Sequence, residues 1–551
     1  MTLTPIHEIQ GTGLVSPLSG RTVGARGVVV GRSRKGFFVQ DPDGPRDGSA
    51  SSGIFVYHPR DQPPVGAFVE VRGEVVDYVP EETERPTTQL ASREVRVLDD
   101  EGPRIEPVWL TAQRIGTSNA DLGAFLNGVE GMLAGVEAGA TFVAPSNPYG
   151  DYVVLPPGSD VPRTRHGGVR IDPERPERWL PSFRVTDYAK APRVHVGARL
   201  AGPVVGPLNY RASAFQIAAL AAPRVSPVRI ALEATALRSG NAAVTVLTLN
   251  GFNLDARVED PSRVNDPRRD VDDDRGDGRF EMLARAVVEQ AACPDLVALQ
   301  EMQDDDGAEL SEKTSARKNY AILVGEVQRA GGPRYRWVDE PPLAQDDGGQ
   351  PGGNIRNAFL YDEARVELLP DSLRRLGEDD AAFAGSRKPL LARFRHRGTR
   401  RDLVVVNVHL ASKRHQRGLF APDRPGFDPR EPVRVAQARL VRATLDGLGT
   451  DVDYYVTGDF NDFEFSETLR TLTGPDGVNL VERVSLDGRY DYNHRGVSQV
   501  LMHGIVGKRQ AGRADYEILH GNDLIGVQPG SVGDRATDHA YVIARLGLAG
   551  G

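Results

Sequence analysis

The sequence has only one cysteine, Cys293, in 551 residues. A single cysteine excludes an intrachain disulfide and argues against a cysteine-rich metal site. Its place at the end of an apolar helical segment is typical of a buried, inert thiol rather than of a nucleophile. No stretch is long and apolar enough to cross a bilayer, and residues 1–8 lack the basic and apolar regions of a signal peptide. We therefore expect a soluble protein with no export signal and no use of a membrane.

An excess of positive charge is also missing. Lys and Arg number 67 against 76 Asp and Glu, which gives a net charge of -9 at pH 7. The chain as a whole does not attract nucleic acid, so any such binding must use local basic clusters or bound cations. Hydrophobic residues make up 39% and charged residues 26%, as in a globular protein. The length allows about three or four domains.

Residues 1–105 alternate short β-type runs with Gly, Pro and Asp turns, and the clearest runs are 27–31, 36–40, 53–57 and 67–76. This spacing predicts a small all-β barrel of the oligonucleotide-binding (OB) type, or a β module that only packs against its neighbour. Arg32, Arg34 and Lys35 lie beside Phe37 and Phe38. They indicate a base-stacking and phosphate-binding surface, although a solvated loop over core aromatics explains them as well.

Residues 106–235 have a weaker pattern. A helical segment is predicted over 122–136, followed by β runs at 152–155 and 194–200. The Pro- and Arg-rich stretch 156–192 has little periodicity and is predicted to be an extended loop. We interpret this region as a second β-rich module with a long loop.

Residues 236–551 alternate apolar runs with amphipathic helices, which is typical of an α/β domain. Helices are predicted over 279–292 and 433–445 from apolar residues at helical spacing. The predicted strands are 244–250, 296–301, 358–361, 403–410, 454–460, 500–506 and 540–546.

Aspartates crowd residues 266–277 and 304–306. A run of like charge is normally a solvated loop. A calcium site near residues 270–277 is the alternative, but the strict EF-hand spacing is absent.

The stretch Asp453-Tyr-Tyr-Val-Thr-Gly-Asp-Phe-Asn-Asp462 ends an apolar run with polar residues. If the run is a buried strand, Asp459 and Asn461 lie on one side at its carboxyl end, and Gly458 permits a close approach there. A carboxylate beside a carboxamide suits a site that handles a metal or water and holds a phosphate oxygen. A simple turn is the alternative, because Gly, Asp and Asn are turn formers.

Other apolar runs also carry polar residues within them or at their ends. Such residues are costly in a strand unless they have partners. Each has a simple structural explanation when it is taken alone, but five coincidences in one domain favour a common site. The residues are Asn250, Glu301, Asn407 with His409, Asp459 with Asn461, and Asp538 with His539.

Taken in series, these motifs resemble the endonuclease/exonuclease/phosphatase family. They are Thr248-Leu-Asn250, Leu299-Gln-Glu301, Asn407-Val-His-Leu410, Gly458-Asp-Phe-Asn461 and Thr537-Asp-His539. With Ile6-His-Glu-Ile-Gln-Gly11 and Gly36-Phe-Phe-Val-Gln-Asp-Pro42, the chain is similar to bacterial extracellular nucleases that have an N-terminal OB-like domain. The resemblance implies a multidomain protein, with OB-like β modules followed by a four-layer α/β sandwich of two sheets flanked by helices.

The resemblance also implies the roles of the residues. Asn250, Glu301 and Asp538 would hold a divalent cation, and oxygen ligands favour Mg²⁺, with Mn²⁺ or Ca²⁺ possible. His409 would stabilise charge on a phosphate oxygen, and Asn461 would hold the phosphate. Asp459 would orient or deprotonate the attacking water, with His539 close to the same proton. The residues that could bind substrate phosphate are Arg356, Lys413 and Asn407.

The chain departs from the family pattern at Met502. The family usually has Leu-Asp-His where this chain has Leu501-Met-His503, and that aspartate orients the histidine of the last motif, here His539. A thioether cannot accept the charge-assisted hydrogen bond. Either a nearby acid such as Asp491 substitutes, or hydrolysis is slow or lost. For a weakened enzyme, Met502→Asp is predicted to raise turnover.

The sequence therefore predicts a metal-dependent phosphodiester hydrolase that acts on nucleic acid, with a DNA endonuclease favoured and RNA less so. A lipid or inositol phosphate phosphatase or phosphodiesterase, and a catalytically weakened nucleic-acid-binding protein, are the alternatives. The extracellular relatives are secreted but this sequence has no export signal, so location and oligomeric state are left open.

Overall fold

A computed structural model of the protein describes residues 3–79, 85–449, 451–531 and 535–548. Within these segments the chain is a mixed α/β protein with five β-sheets, one of them a closed barrel. None of the described helices combines the length and the apolar character that a membrane span requires.

The N-terminal unit is the closed barrel, and its strands are joined in the order β1-β2-β3-β5-β4. Its apolar side chains alternate along β4 and fill the barrel interior with Ile54, Val69 and Leu90. Phe37 is buried in the barrel core at 0% exposure, and Phe38 is buried outside this core at 3% exposure, so they form no base-stacking surface. The elements are α1 Ile6–Gln10, β1 Thr22–Ser33, β2 Gly36–Gln40, β3 Gly53–Tyr57, β4 Phe68–Tyr78 and β5 Thr87–Asp99.

The middle unit is built on a nine-stranded sheet in the order β15-β12-β8-β9-β11-β14-β13-β7-β6. The helix predicted over 122–136 is wrong in its second half. It ends at Asn127, and Gly131 takes a φ of 80° before the chain continues as a strand. The elements are β6 Val108–Trp109, α2 Ala112–Ile115, α3 Asn119–Asn127, β7 Leu133–Val136, β8 Thr141–Phe142, β9 Asp151–Leu155, β10 Val169–Arg170, β11 Ser182–Arg184, β12 Arg199–Leu200, β13 Val204–Arg211, β14 Ala214–Ala218 and β15 Val225–Ser226.

The C-terminal unit contains two large sheets. One has the order β18-β19-β17-β16-β30-β29, and the other β20-β22-β23-β24-β28-β25 with β21 beside β22. The elements are β16 Ala243–Leu254, α4 Arg279–Arg285, β17 Leu296–Met302, α5 Arg317–Arg329, β18 Arg336–Asp339, β19 Arg356–Tyr361, β20 Val366–Leu368, β21 Arg374–Arg375, β22 Leu390–His396, β23 Asp402–His409, α6 Glu431–Asp446, β24 Asp453–Asp459, α7 Glu467–Thr473, β25 Gly477–Asn479, β26 Tyr492–His494, β27 Val497–Gln499, β28 Met502–Gly507, α8 Lys508–Ala511, β29 Ala514–Leu519 and β30 Tyr541–Gly547.

The two large sheets pack face to face around a shared apolar layer. Val246 and Phe359 of the first sheet meet Val405 and Tyr455 of the second in this layer. Polar bonds also cross it, because the Thr248 and Thr457 hydroxyls lie 2.5 Å apart. The unit therefore has the two central layers of a sandwich.

Helices cover the outer faces of both sheets. Phe280 of α4 and Leu323 of α5 pack against the first sheet. Val441 of α6 and Leu469 of α7 pack against the second. The helix predicted over 433–445 is confirmed as α6, whereas the one over 279–292 changes at Ala286 into a π-helical segment, Ala286–Gln290. The predicted strands of this unit are all present, with ends shifted by a few residues.

Candidate active site

The candidate site lies where β16, β17, β23 and β24 end together. β16 runs parallel to β17, and β23 runs parallel to β24, so the carboxyl ends of each pair meet at one edge. Side chains alternate along a strand, so a residue two positions after one that points between the sheets also points between them. This is the position of Asn250, His409 and Asp459 in their strands. Strand periodicity alone therefore brings an amide, an imidazole and a carboxylate together.

Glu301 reaches the same edge because its strand is irregular. The preceding residue, Gln300, already points between the sheets, so a regular strand would direct Glu301 outward. Glu301 instead has a φ of 54°, and pairing with both neighbouring strands breaks at this point. Gly458 is needed for a similar close approach, since its φ is 136° and a Cβ there would lie 1.9 Å from the Val408 carbonyl oxygen.

The polar atoms of the site are close to one another. Asn250 Nδ2 lies 3.2 Å from Glu301 Oε1 and 3.4 Å from Asp459 Oδ2. His409 Nε2 lies 3.6 Å from Glu301 Oε1 and 3.7 Å from Asp459 Oδ2. Ligand atoms of Glu301, His409 and Asp459 all fall within 4.8 Å of one another. This spacing is compatible with a single ion or a single phosphate oxygen.

Burial governs the ionisation of these groups. It raises the pKa of the Glu301 carboxyl, with the charge of Asp538 adding to the effect. Burial also raises the pKa of Asp459, against the opposing charge of His539. The pKa of His409 is well below its usual range because of burial and the nearby Arg387 and His539. The two carboxylates and the neutral imidazole of His409 are thus crowded in a buried site, where His539 and Arg387 supply the opposing charge.

His539 lies between two sets of carboxylates. Its Nδ1 is 3.2 Å from Asp491 Oδ1, and its Nε2 is 3.8 Å from Asp459 Oδ2 and 3.9 Å from Asp538 Oδ1. Burial lowers the pKa of His539, but the hydrogen bond to Asp491 and the surrounding carboxylates outweigh burial and raise it to about 10. Tyr492 stacks on the ring at 4.9 Å. The imidazole is therefore held as a cation that points into the site.

Asp491 fills the place left by the missing aspartate at position 502. Its Oδ2 accepts hydrogen bonds from the backbone N–H groups of Leu501 and Met502, at 2.9 and 2.8 Å. Its Oδ1 faces His539 Nδ1, and the side chain is fully buried. Met502 itself is 0% exposed and belongs to the apolar layer between the sheets. Of the two alternatives that the sequence left open, the geometry favours substitution by Asp491.

The remaining predicted residues have different surroundings. Asn461 has a φ of 52° and lies at the site, where its Nδ2 donates to the Leu410 carbonyl at 3.1 Å. Asp538 lies beside His539. Lys413 lies at the rim, where its Nζ is 2.9 Å from Asp462 Oδ1 and 4.2 Å from the centre of the Phe463 ring.

Two predicted phosphate ligands are committed to the fold instead. Arg356 is 2% exposed, and its guanidinium binds the carbonyls of Thr314 and Asn354 and the carboxylate of Asp339. Asn407 lies inside the sandwich, where it accepts from Gln300 and donates to two backbone carbonyls of the opposite sheet. Both N–H groups of Asn407 and four of the five N–H groups of Arg356 are used inside the fold, so neither buried side chain is placed to bind a substrate.

Sequence reasoning missed Arg387. Its Nη2 donates to the Leu410 carbonyl at 2.9 Å, while its Nε is buried without a hydrogen-bond partner among the described residues. The charges of Glu301 and Asp459 act on it, which places it beside the site. Two adjacent cations directly before an apolar strand, Arg387 and Lys388, are the signal that was available. Lys388 pairs with Asp346 and Asp347.

A second group of carboxylates lies in the loop after β16. Ligand atoms of Asp255, Asp272 and Asp274 fall within 4.8 Å of one another. Burial and the neighbouring Glu259 and Asp274 raise the pKa of Asp255 to about 9. The crowded aspartates of this segment are therefore partly buried rather than a wholly solvated loop.

Comparisons with known proteins give the following similarities. Residues 117–229 match a family described as "Domain of unknown function (DUF8508)". No curated protein matches the chain in amino-acid sequence. Three solved structures each cover 56% of the chain: D. rerio TDP2 complexed with single strand DNA product (15% identity, TM-score 0.36, 100% of that chain), the human Nocturnin catalytic domain (13%, 0.37, 95%), and an endonuclease/exonuclease/phosphatase from Bacteroides vulgatus (16%, 0.35, 99%).

Proposed function

We propose that the protein is a divalent-metal-dependent phosphodiester hydrolase of the endonuclease/exonuclease/phosphatase type, acting on nucleic acid. The observation that carries the proposal is the arrangement at the carboxyl ends of β16, β17, β23 and β24. There, Asn250, Glu301, His409 and Asp459 converge on His539, which is paired with Asp491. The imidazole of His539 is held by one carboxylate and faces a second, Asp459, with Glu301 nearby. This arrangement is suited to activating water next to a phosphate.

The donor set fits a hard divalent cation. Glu301 and Asp538 offer carboxylate oxygens, which Mg²⁺, Mn²⁺ and Ca²⁺ accept and zinc favours less. Asn250 directs its Nδ2 toward Glu301 and Asp459 while its Oδ1 accepts from the Phe252 N–H at 2.8 Å, so it would offer an oxygen to the cation only after its amide turns over. The raised pKa of Glu301 has burial and Asp538 as its main causes, so a bound cation would relieve an unfavourable interaction that already exists. When bound, such an ion would neutralise charge on the phosphate.

The side chains of the chain itself supply the proton chemistry. Asp459 is placed to orient and deprotonate the attacking water, since its Oδ2 lies within 4 Å of both His409 Nε2 and His539 Nε2. His539, held as a cation by Asp491, would stabilise charge that develops on the phosphate oxygens. His409 is neutral and would donate a hydrogen bond to the same group.

The phosphate itself would be held by three side chains. Arg387 is the best-placed cation, because its buried Nε still lacks a partner among the described residues. Asn461 would contribute its amide without adding negative charge. Lys413 would act from the rim, where its side chain is 20% exposed.

The N-terminal barrel supports nucleic acid as the substrate. We propose that it is an OB-type barrel, because five strands close in the order β1-β2-β3-β5-β4 and this barrel type binds oligonucleotides on β2 and β3. Tyr57, at the end of β3, is 44% exposed and pairs with Gly36, next to the exposed Lys35. An exposed ring beside a cation is a stacking platform that the buried Phe37 and Phe38 cannot provide.

The separate apolar cores support the division into residues 1–105, 106–235 and 236–551. The barrel core and the layers on both faces of the two large sheets are each contained within one of these segments. The core of the middle unit is the exception, since Phe463, Val497 and Leu501 of the last segment pack into it.

A substrate panel tests the proposal. Single-stranded DNA, duplex DNA, RNA, a small phosphodiester and a phosphomonoester are each incubated with the protein and Mg²⁺, beside Glu301→Gln. We expect hydrolysis of DNA and of the small diester, reduced by at least about 100-fold in Glu301→Gln. Preference for the monoester would instead favour a lipid or inositol phosphate phosphatase, and binding without cleavage would favour a weakened binding protein.

A further inference from the structure

Asp491 directly precedes a small hairpin, and the hairpin determines where its carboxylate lies. β26 and β27 pair from Tyr492 to Gln499 and are joined by a two-residue turn. The backbone N–H of Asp491 donates to the Gln499 carbonyl at 2.8 Å, and its carbonyl accepts from the Ala540 N–H at 2.7 Å. The hairpin therefore fixes the backbone of Asp491, while the N–H groups of Leu501 and Met502, at the start of β28, hold the far oxygen of its carboxylate.

The hairpin belongs to the middle unit as much as to the C-terminal unit. β10 of the middle unit pairs with β27, joining Val169 to Val497. Asn493 Nδ2 donates to the Val143 carbonyl at 2.8 Å, and Arg495 Nη2 donates to the Ala212 carbonyl at 2.9 Å. The side chain of Val497 is buried in the apolar core of the middle unit.

The turn of the hairpin lies in close contact with the middle unit. Arg495 and Gly496 have φ angles of 49° and 90°, as in a type I′ turn. A Cβ on Gly496 would lie 2.7 Å from Val153 Cγ1 and 2.9 Å from Leu180 Cδ1 and from Val143 Cγ2. Any side chain at 496 would therefore push the hairpin away from the middle unit.

We propose that the segment of residues 117–229, which matches a domain of unknown function, is a scaffold for the active site that holds the β26–β27 hairpin so that Asp491 binds His539 Nδ1. The proposal rests on the proposed function for its catalytic meaning. Asp491 is a positioning residue that acts through His539 and replaces a carboxylate at 502. A charge-assisted hydrogen bond fixes the ring only if donor and acceptor stay within a few tenths of an ångström, which the packed hairpin ensures.

The test uses two measurements on the full-length protein. The first is the imidazole Nδ1–H resonance of His539 in histidine-¹⁵N-labelled protein, assigned by its loss in His539→Gln. The second is kcat and KM for the small phosphodiester and for DNA. The variants are Asp491→Asn and Gly496→Ala. The matched control is Gly158→Ala, because Gly158 also has a positive φ, of 77°, but nothing lies within 4 Å of its Cβ position.

We expect Asp491→Asn to remove or strongly shift the His539 resonance and to lower kcat about 10- to 100-fold with KM nearly unchanged, as for the loss of one charge-assisted hydrogen bond. Gly496→Ala should shift the same resonance and lower kcat by at least about 5-fold, whereas Gly158→Ala should change neither. If Gly496→Ala does not fold, Asn493→Ala serves in its place, with Asn119→Ala as its control within the middle unit.

Two results would overturn the proposal. One is an unchanged His539 resonance in Asp491→Asn. The other is a hairpin variant that matches its control in both resonance and kcat. A protein that hydrolyses none of the substrates but shows the expected resonance changes would contradict the proposed function and leave the scaffold proposal standing.

Discussion

Replacing Met502 by aspartate is the change for which sequence and structure give opposite expectations. The family resemblance predicts a gain in turnover, because it restores the usual carboxylate. In the structure, however, Met502 is 0% exposed in the apolar layer, and Asp491 already binds both its backbone N–H and His539. We therefore expect Met502→Asp to lower both stability and turnover.

The size of the effect follows from the surroundings. Truncating a buried methionine costs about 2–5 kcal/mol. A carboxyl buried beside Asp491 must also remain protonated at pH 7, although in the unfolded chain it ionises with a pKa of about 3.9; this costs about 1.4 kcal/mol for each unit between that value and pH 7, or about 4 kcal/mol. The free energy of unfolding should thus fall by about 4 kcal/mol or more. Met502→Leu, which nearly keeps the volume, should cost under about 1.5 kcal/mol.

Urea denaturation followed by circular dichroism measures the stability, and hydrolysis of a small phosphodiester measures the turnover. In Met502→Asp we expect kcat to fall about tenfold or more, because the introduced acid disturbs the hydrogen bonds by which Asp491 holds His539. Adding Asp491→Asn should recover part of the lost stability, since the two acids repel each other directly. A Met502→Asp protein that is as stable as the wild type and turns over faster would refute this reasoning.

Three further predictions concern other buried polar groups. Burial lowers the pKa of His503 to about 4, and its neutral ring accepts from Asn479 and donates to the Asp462 carbonyl. The contribution of neutral His503 to the free energy of unfolding is complete above pH 6.5, and up to about 3 kcal/mol of it is lost as the pH falls toward 4. In His503→Gln, the free energy of unfolding measured in urea should therefore depend less on pH. Asn407→Leu should lower the free energy of unfolding by about 2–4 kcal/mol, because it leaves two carbonyls and Gln300 unpaired. A loss below about 1 kcal/mol in urea unfolding would contradict the role of Asn407 in joining the two sheets. Arg387→Ala should lower kcat/KM by about 10- to 100-fold, whereas Arg374→Ala, at an exposed position, should leave it unchanged. Equal kcat/KM values in the two variants would show that Arg387 does not bind the substrate.

The strands and most of the site could be predicted because they follow from local patterns. Asn250, His409 and Asp459 each end an apolar run, and strand periodicity directs them to one edge without further information. The resemblance grouped Glu301 with these residues, and the structure places it at this edge through a strand irregularity that could not be seen in the sequence.

What could not be predicted depends on contacts between distant segments. The pairing of Asp491 with His539 requires a hairpin that is held by another unit. Arg356 looks like a free cation in the sequence, but it is buried and binds two backbone carbonyls and the carboxylate of Asp339. Phe37 and Phe38 were candidates for a base-stacking surface, but Phe37 lies in the barrel core, and Phe38 is buried on the other side of β2 beside Phe55 and residues of the middle unit.

Nicking of supercoiled plasmid tests the central claim most directly. The protein is incubated with Mg²⁺, Mn²⁺, Ca²⁺ or EDTA, beside Glu301→Gln and His539→Gln variants of confirmed fold. We expect conversion to open circles with at least one of the cations, none with EDTA, and a loss of at least about 100-fold in both variants. Nicking that survives in EDTA or in Glu301→Gln, or no nicking with any cation, would contradict the claim.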